Sequence, residues 1–236
     1  TDKKSSKLTK KRNLSINKIS SNAKPWPYYR DFISPTKLKK LISEMQKLAF
    51  KIDGTEYKPI TFKQRTGIIP HTFKGQYVRF IDDNYLKYDV LPLVYSEPEL
   101  LKCKFRGSQS AEEQYAIKGR GLWLEYSGKQ GAGTGSKYNP EDYREFLYSK
   151  IKTCNNFRPT LALQSYNFFG NAQTILDFSA GWGDRLFAAC ISGRQYIGID
   201  PNVNNRDIYN AIIANHGDPK KQIIIYSGAE YLTYPV

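Results

Sequence analysis

The chain has 236 residues, enough for one large domain or two small ones, and its 40% hydrophobic content can supply a core. It contains no apolar run of membrane-spanning length and no signal-peptide pattern, which excludes an integral helical membrane protein and points to a soluble intracellular one, in cytoplasm or nucleus. Lys and Arg outnumber Asp and Glu by 36 to 22, a net charge of +14 that favours a polyanionic partner.

Half of that excess sits in residues 1–24, where seven Lys and one Arg face one Asp, giving +7. The segment has few large apolar side chains and cannot bury a core, so residues 1–27 read as a disordered basic tail ended by Pro25-Trp26-Pro27. Such a tail attracts phosphate backbones without sequence preference, with Lys3, Lys4, Lys10, Lys11 and Arg12 as its candidate nucleic-acid contacts. A solubilising or targeting extension is the other reading.

Residues 28–150 read as a mixed α+β, substrate-side region. Ser34-Pro35 opens a helix, with a cap residue before a proline at the first helical position. Leu38, Leu41, Ile42, Met45, Leu48 and Ala49 give it one apolar face, and Lys37, Lys39, Lys40 and Lys47 line the other, as a solvated or a DNA-facing surface. Asp53-Gly54 breaks it. Strands are expected at 57–62, 77–81 and 90–95, with Asp82-Asp83-Asn84 as a turn. Those carboxylates lack a glutamate at calcium-loop spacing, and Cys103, Cys154 and Cys190 are scattered, so no metal site is expected and the cysteines read as buried small hydrophobes. Helices follow at 96–106 and 110–118, the second ended by Gly119-Arg120-Gly121. Residues 128–135 lack the G-K-[ST] ending of a phosphate loop and read as a flexible loop, a substrate-side lid if they act at all. Tyr138-Asn139-Pro140 opens a helix running through Lys150.

Residues 151–236 carry the most informative pattern. Asn156-Phe157-Arg158-Pro159 precedes a helix over 160–169. A strand at Ile175-Leu176 then leads into Asp177, and Ser179-Ala180-Gly181-Trp182-Gly183 forms a turn. A short helix over 184–191 and a strand over 196–199 follow, with Asp200 at the strand's tip. This layout builds a nucleoside-cofactor pocket at the carboxyl ends of parallel strands. Gly181 and Gly183 let backbone approach a ligand, and Asp200 can accept both hydrogen bonds of a ribose diol. Trp182 is either a pocket wall or a core residue. The third glycine of the dinucleotide fingerprint is missing, since Leu186 follows Arg185. A second helix over 205–215, a strand over 222–226 and Ser227-Gly228-Ala229-Glu230 close the chain.

The spacing Asp177-x-x-x-Gly181-x-Gly183 followed by Asp200 resembles motifs I and II of the S-adenosylmethionine-dependent methyltransferases. The fuller string DFSAGWGDRL…GIDPN is similar to a group of methyltransferase-like proteins of phages and large DNA viruses, described as DNA methyltransferases. The resemblance implies an α/β fold: a Rossmann-like sheet, of which strands one to three are evident, in the cofactor-binding half at 151–236. It implies S-adenosylmethionine as cofactor. Asp177 would face its amino-acid end; Ser179, Ala180, Gly181 and Gly183 would pack against it; Asp200 would hold its ribose. Phe157 and Pro159 would take the place of motif X, and Glu230 that of motif III beside the adenine. A viral origin would add packaging in a virion to the possible locations.

The acceptor motif of the family, [DNS]-P-P-[YFW] on a fourth strand, does not occur in residues 1–236. A further chain segment or partner polypeptide is therefore expected to complete the sheet, and the catalytic residues are not identified. Three functions stay open: methyl transfer to nucleic acid, foremost to an exocyclic amino group of a DNA base; RNA or cap methylation; and an inactive, methyltransferase-like assembly protein.

Overall fold

Ser34 caps the first long helix as its position demands, its hydroxyl accepting the Lys37 N–H at 3.1 Å while Pro35 takes the first helical position. The computed structural model describes residues 24–48, 62–64, 67–69, 86–104, 107–129 and 138–233. The five tail cations from Lys3 to Arg12, the strand expected at 77–81, the turn at 82–84 and the loop beyond Lys129 lie outside the described residues.

Helices dominate the described N-terminal region. They are α1 (Tyr29–Phe32), α2 (Pro35–Gln46), α3 (Leu86–Asp89), α4 (Leu93–Lys102), α5 (Ala111–Lys129) and α6 (Pro140–Lys150). One antiparallel pair, β1 (Phe62–Gln64) with β2 (Gly67–Ile69), is in register at Phe62↔Ile69. Two expectations are corrected. Residues 90–95 are not a strand: Pro92 starts α4, whose buried positions Leu93, Ser96, Glu97, Leu100 and Leu101 follow the helical repeat. Gly119-Arg120-Gly121 does not end α5, which runs eight residues beyond Gly121 to Lys129. A reciprocal capping box opens that helix, with Ser110 Oγ accepting from Glu113 N–H at 3.1 Å and the Glu113 carboxylate from Ser110 N–H at 3.0 Å. Trp26, Tyr29, Leu100, Leu101, Leu122, Tyr126, Tyr143 and Leu147 form the core of this region.

The C-terminal region is α/β. Helix α7 (Pro159–Phe168) leads through a short turn to β3 (Thr174–Asp177), α8 (Asp184–Ile191), β4 (Gln195–Ile199), a 3-10 turn (Val203–Asn205), α9 (Arg206–His216), β5 (Gln222–Ile225) and a last 3-10 turn (Ala229–Tyr231). The three strands are parallel in the order β3-β4-β5 and form an open sheet. Each crossover passes through a helix, as parallel pairing requires. Helix α8 packs between α7 and α9, and Tyr196 meets the core they form. Gly198 has no room for a side chain on this face, because a Cβ would lie 2.6 Å from the Tyr196 ring and 2.8 Å from Ile224 Cδ1. Leu176, Ile197 and Ile223 align in register on the other face, where Leu176 and Ile223 remain 45% and 50% exposed.

The same core takes Ile42, Met45, Tyr88 and Leu91 from the N-terminal region, so it spans the sequence boundary at residue 150. Tyr95 on α4 and His216 at the end of α9 reinforce this contact through a 2.7 Å bond between Tyr95 Oη and His216 Nε2. No helix among the described residues is long and apolar enough to cross a membrane.

Candidate functional site

Parallel strands put the turn after β3 and Asp200 after β4 at the same end of the sheet. The turn departs from β3 without breaking the ladder, because Ala180 N–H donates to the Ile199 carbonyl at 3.0 Å. Two of its glycines adopt left-handed backbone, Gly181 at φ 60° and Gly183 at φ 87°. At Gly183 the requirement is double, since a Cβ would also lie 2.8 Å from Ile212 Cδ1.

Asp200 closes this turn. One carboxylate oxygen accepts the Gly181 N–H at 2.8 Å and the other the Asn202 N–H at 2.9 Å, and the residue is only 7% exposed. The Gly181 carbonyl is fixed in turn by Asn205 Nδ2 at 2.9 Å and Tyr209 Oη at 2.6 Å. A carboxylate offers about four acceptor directions, so two bonds leave capacity for a further donor.

Asp177 accepts three hydrogen bonds, from Ser179 N–H at 3.1 Å, Arg185 Nε at 2.7 Å and Tyr196 Oη at 2.5 Å. Arg185 also donates to the Ser179 carbonyl, and its guanidinium lies 4.9 Å from the centre of the Phe157 ring. One arginine thus joins Phe157, Asp177 and Ser179, three of the residues singled out in the sequence. Sequence reasoning passed over Arg185.

Asp184 was missed as well. It is buried at the first position of α8 and accepts from Asn156 Nδ2 at 3.2 Å. Burial pushes its carboxyl up to about 7, against the hydrogen bonds from Asn156 and the Phe157 N–H and the charge of Arg185. Asp184 and Arg185 together dock the segment at 156–157 onto the start of α8. Pro159 is buried at the head of α7, next to Thr160, whose N–H and hydroxyl both donate to Asp89 Oδ1, at 3.2 and 2.6 Å.

Of the remaining candidates, Ser179 is exposed and Ala180 is buried against the sheet. Glu230 stands exposed in the 3-10 turn after β5, its carboxylate lying against Gly228, where a Cβ would be 2.7 Å from Oε2. Trp182 packs on the N-terminal core and so ties the turn to that region. Among the described residues no group of three or more His, Cys, Asp or Glu could hold a metal.

The chain matches no family model, no curated protein and no solved structure. The candidate site therefore rests on its own geometry: a glycine turn, a buried carboxylate clamped on its backbone, and an arginine-centred cluster at one end of a parallel sheet. A cavity of about 670 Å3 lies elsewhere, lined by Cys103, Gln114, Lys118, Lys152 and Cys154 among others.

Proposed function

We propose that this chain supplies the cofactor-binding half of a Rossmann-like, S-adenosylmethionine-dependent methyltransferase acting on nucleic acid, foremost on an exocyclic amino group of a DNA base. The observation that carries this reading is the clamp of Asp200 on the Gly181 N–H at the carboxyl end of parallel strands. It presents a carboxylate with free acceptor capacity beside backbone that a ligand can approach closely. Asp200 would take the ribose hydroxyls, and Gly181 and Gly183 would line the cofactor. Asp177 would act at the amino-acid end through the Arg185 cluster, which places Phe157 at the rim. Pro159 would support that rim from the head of α7, and Glu230 would reach the adenine from beyond β5.

The cofactor brings an activated methyl group; the residues of this chain would align it with the acceptor and exclude water. A target base within a duplex must be flipped out. The basic tail, with Lys3, Lys4, Lys10, Lys11 and Arg12, would hold the phosphate backbone. A further segment or partner polypeptide bearing the acceptor site would pair with β3 and cover the apolar row of Leu176, Ile197 and Ile223.

One observation favours a second reading, a structural protein that keeps the fold without catalysis. Every carboxylate oxygen of Asp177 and Asp200 already serves an internal hydrogen bond. Transfer of a labelled methyl group from S-adenosylmethionine to DNA and to RNA oligonucleotides, assayed with the segment or polypeptide that bears the acceptor site present, separates the readings. The methyltransferase reading expects label on a DNA amino group. Label on RNA alone would move the acceptor, and cofactor binding without transfer to either would favour the structural protein.

A further inference from the structure

The cavity remote from the glycine turn brings together two cysteines that are far apart in the sequence. Cys103 caps the C-terminus of α4, and Cys154 lies in the extended segment between α6 and α7. Both line the cavity of about 670 Å3, and both are half-buried, whereas Cys190 is buried within α8. Gln114 on α5 fixes the wall they share, its side-chain amide donating to the Gln109 carbonyl at 3.1 Å and to the Lys152 carbonyl at 3.2 Å. Lys118 and Lys152 stand on the same wall.

We propose that Cys103 and Cys154 are a reversible redox pair, a thiol–disulfide exchange site that takes a small-molecule disulfide through this cavity. Both thiols line the one cavity, and burial together with the neighbouring Cys103 pushes the Cys154 thiol up to about 11. The Cys103 thiolate attacks one sulfur of the incoming disulfide, forming a mixed disulfide and releasing one thiolate. Cys154 then gives its proton to solvent and attacks Cys103 Sγ, expelling the second thiolate. In sum, two protein thiols and one small disulfide become one protein disulfide and two small thiols.

The cross-link would close a loop holding all of α5 and α6. It would also fix the segment whose Asn156 is docked on Asp184 at 3.2 Å. Cysteine pairs of this kind in reducing compartments are typically transient, catalytic or redox-sensing.

The test is equilibration of the reduced full chain with mixtures of glutathione and glutathione disulfide, followed by intact mass, peptide mapping and thiol labelling. The expected product is a single species lighter by two hydrogens, linked between Cys103 and Cys154. Cys190 still labels after unfolding, and dithiothreitol restores all three thiols. Cys190→Ser forms the same cross-link, while Cys103→Ser and Cys154→Ser accumulate only glutathione adducts. Independent adducts on Cys103 and Cys154 of the wild-type chain, a link to Cys190, or no reaction under oxidising mixtures would each overturn the proposal. Because the decisive reading is made on the wild-type chain, a variant that fails to fold leaves the test intact.

Discussion

Two carboxylates in this molecule receive the same three kinds of donor and do different work with them. Glu97, in the N-terminal core, accepts from Tyr29 N–H at 2.6 Å, Arg144 Nε at 2.8 Å and Tyr148 Oη at 2.8 Å. Asp177, at the end of β3, accepts from Ser179 N–H, Arg185 Nε and Tyr196 Oη. Glu97 is fully buried and its partners come from α1 and α6, so the cluster staples three helices together. Asp177 is half-buried and its arginine reaches an exposed aromatic ring, so its cluster sets the shape of a surface turn. The donor set alone does not mark a site; access to the ligand side does.

The sharpest way to break the comparison is to remove the arginines. Arg144→Met leaves Glu97 without its ion pair in the core and should cost about 3–5 kcal/mol in denaturant unfolding. A loss below about 1 kcal/mol would show that the staple is not needed.

A second effect follows from Asp184. Its carboxyl is raised from an ordinary value of 3.8 to about 7. Between those values the folded chain holds a proton that the unfolded chain has released, so stability falls as pH rises across the window and levels off above it. The slope is at most about 1.4 kcal/mol per pH unit. Asp184→Asn should flatten this part of a stability-against-pH curve. Half-buried His216 acts in the opposite sense, its pKa lowered by desolvation, and removes stability as pH falls below its ordinary 6.5. The Asp184 contribution is therefore read as the difference between wild type and variant at each pH.

Arg185→Met should cost less, about 1–2 kcal/mol, because Arg185 is partly exposed whereas Arg144 is buried. The account expects that loss to be accompanied by weaker cofactor binding, while Arg144→Met leaves the affinity of the folded fraction unchanged. Equal effects of both variants on affinity would erase the contrast between staple and site. Deletion of residues 1–24 should flatten the salt dependence of nucleic-acid binding. An unaltered salt slope would remove the tail from the interface.

Local chemistry explains which elements were legible in the sequence. Ser34-Pro35 and Asn139-Pro140 announce helix starts, and each forms with its cap in place. The parallel strands and the glycine turn were legible because β-branched runs alternate with an apolar helical repeat around residues that must adopt positive φ. Only the start of helix α4 was misread, because Val90 to Tyr95 is a run of apolar and aromatic residues like a strand, whereas Ser96 to Lys102 fall within the helix expected at 96–106. The length of α5 was hidden by Gly119, Gly121 and Gly128. Each costs about 1 kcal/mol in a helix interior, and burial of Leu122 and Tyr126 offsets it. At the site, Asp177, Gly181, Gly183 and Asp200 could be picked out in advance. Arg185 and Asp184 could not, since their importance lies in contacts with Phe157 and Asn156 that sequence spacing does not reveal.

The central claim is that the turn clamped by Asp200 is a cofactor pocket, and calorimetric titration of the full chain with S-adenosylmethionine tests it most directly, beside a folded Asp200→Asn variant. The account predicts saturable binding to the wild-type chain that is weakened at least tenfold, about 1.4 kcal/mol, in the variant. A well-folded wild-type chain that takes up no cofactor, or a variant that binds as tightly as wild type, would contradict it.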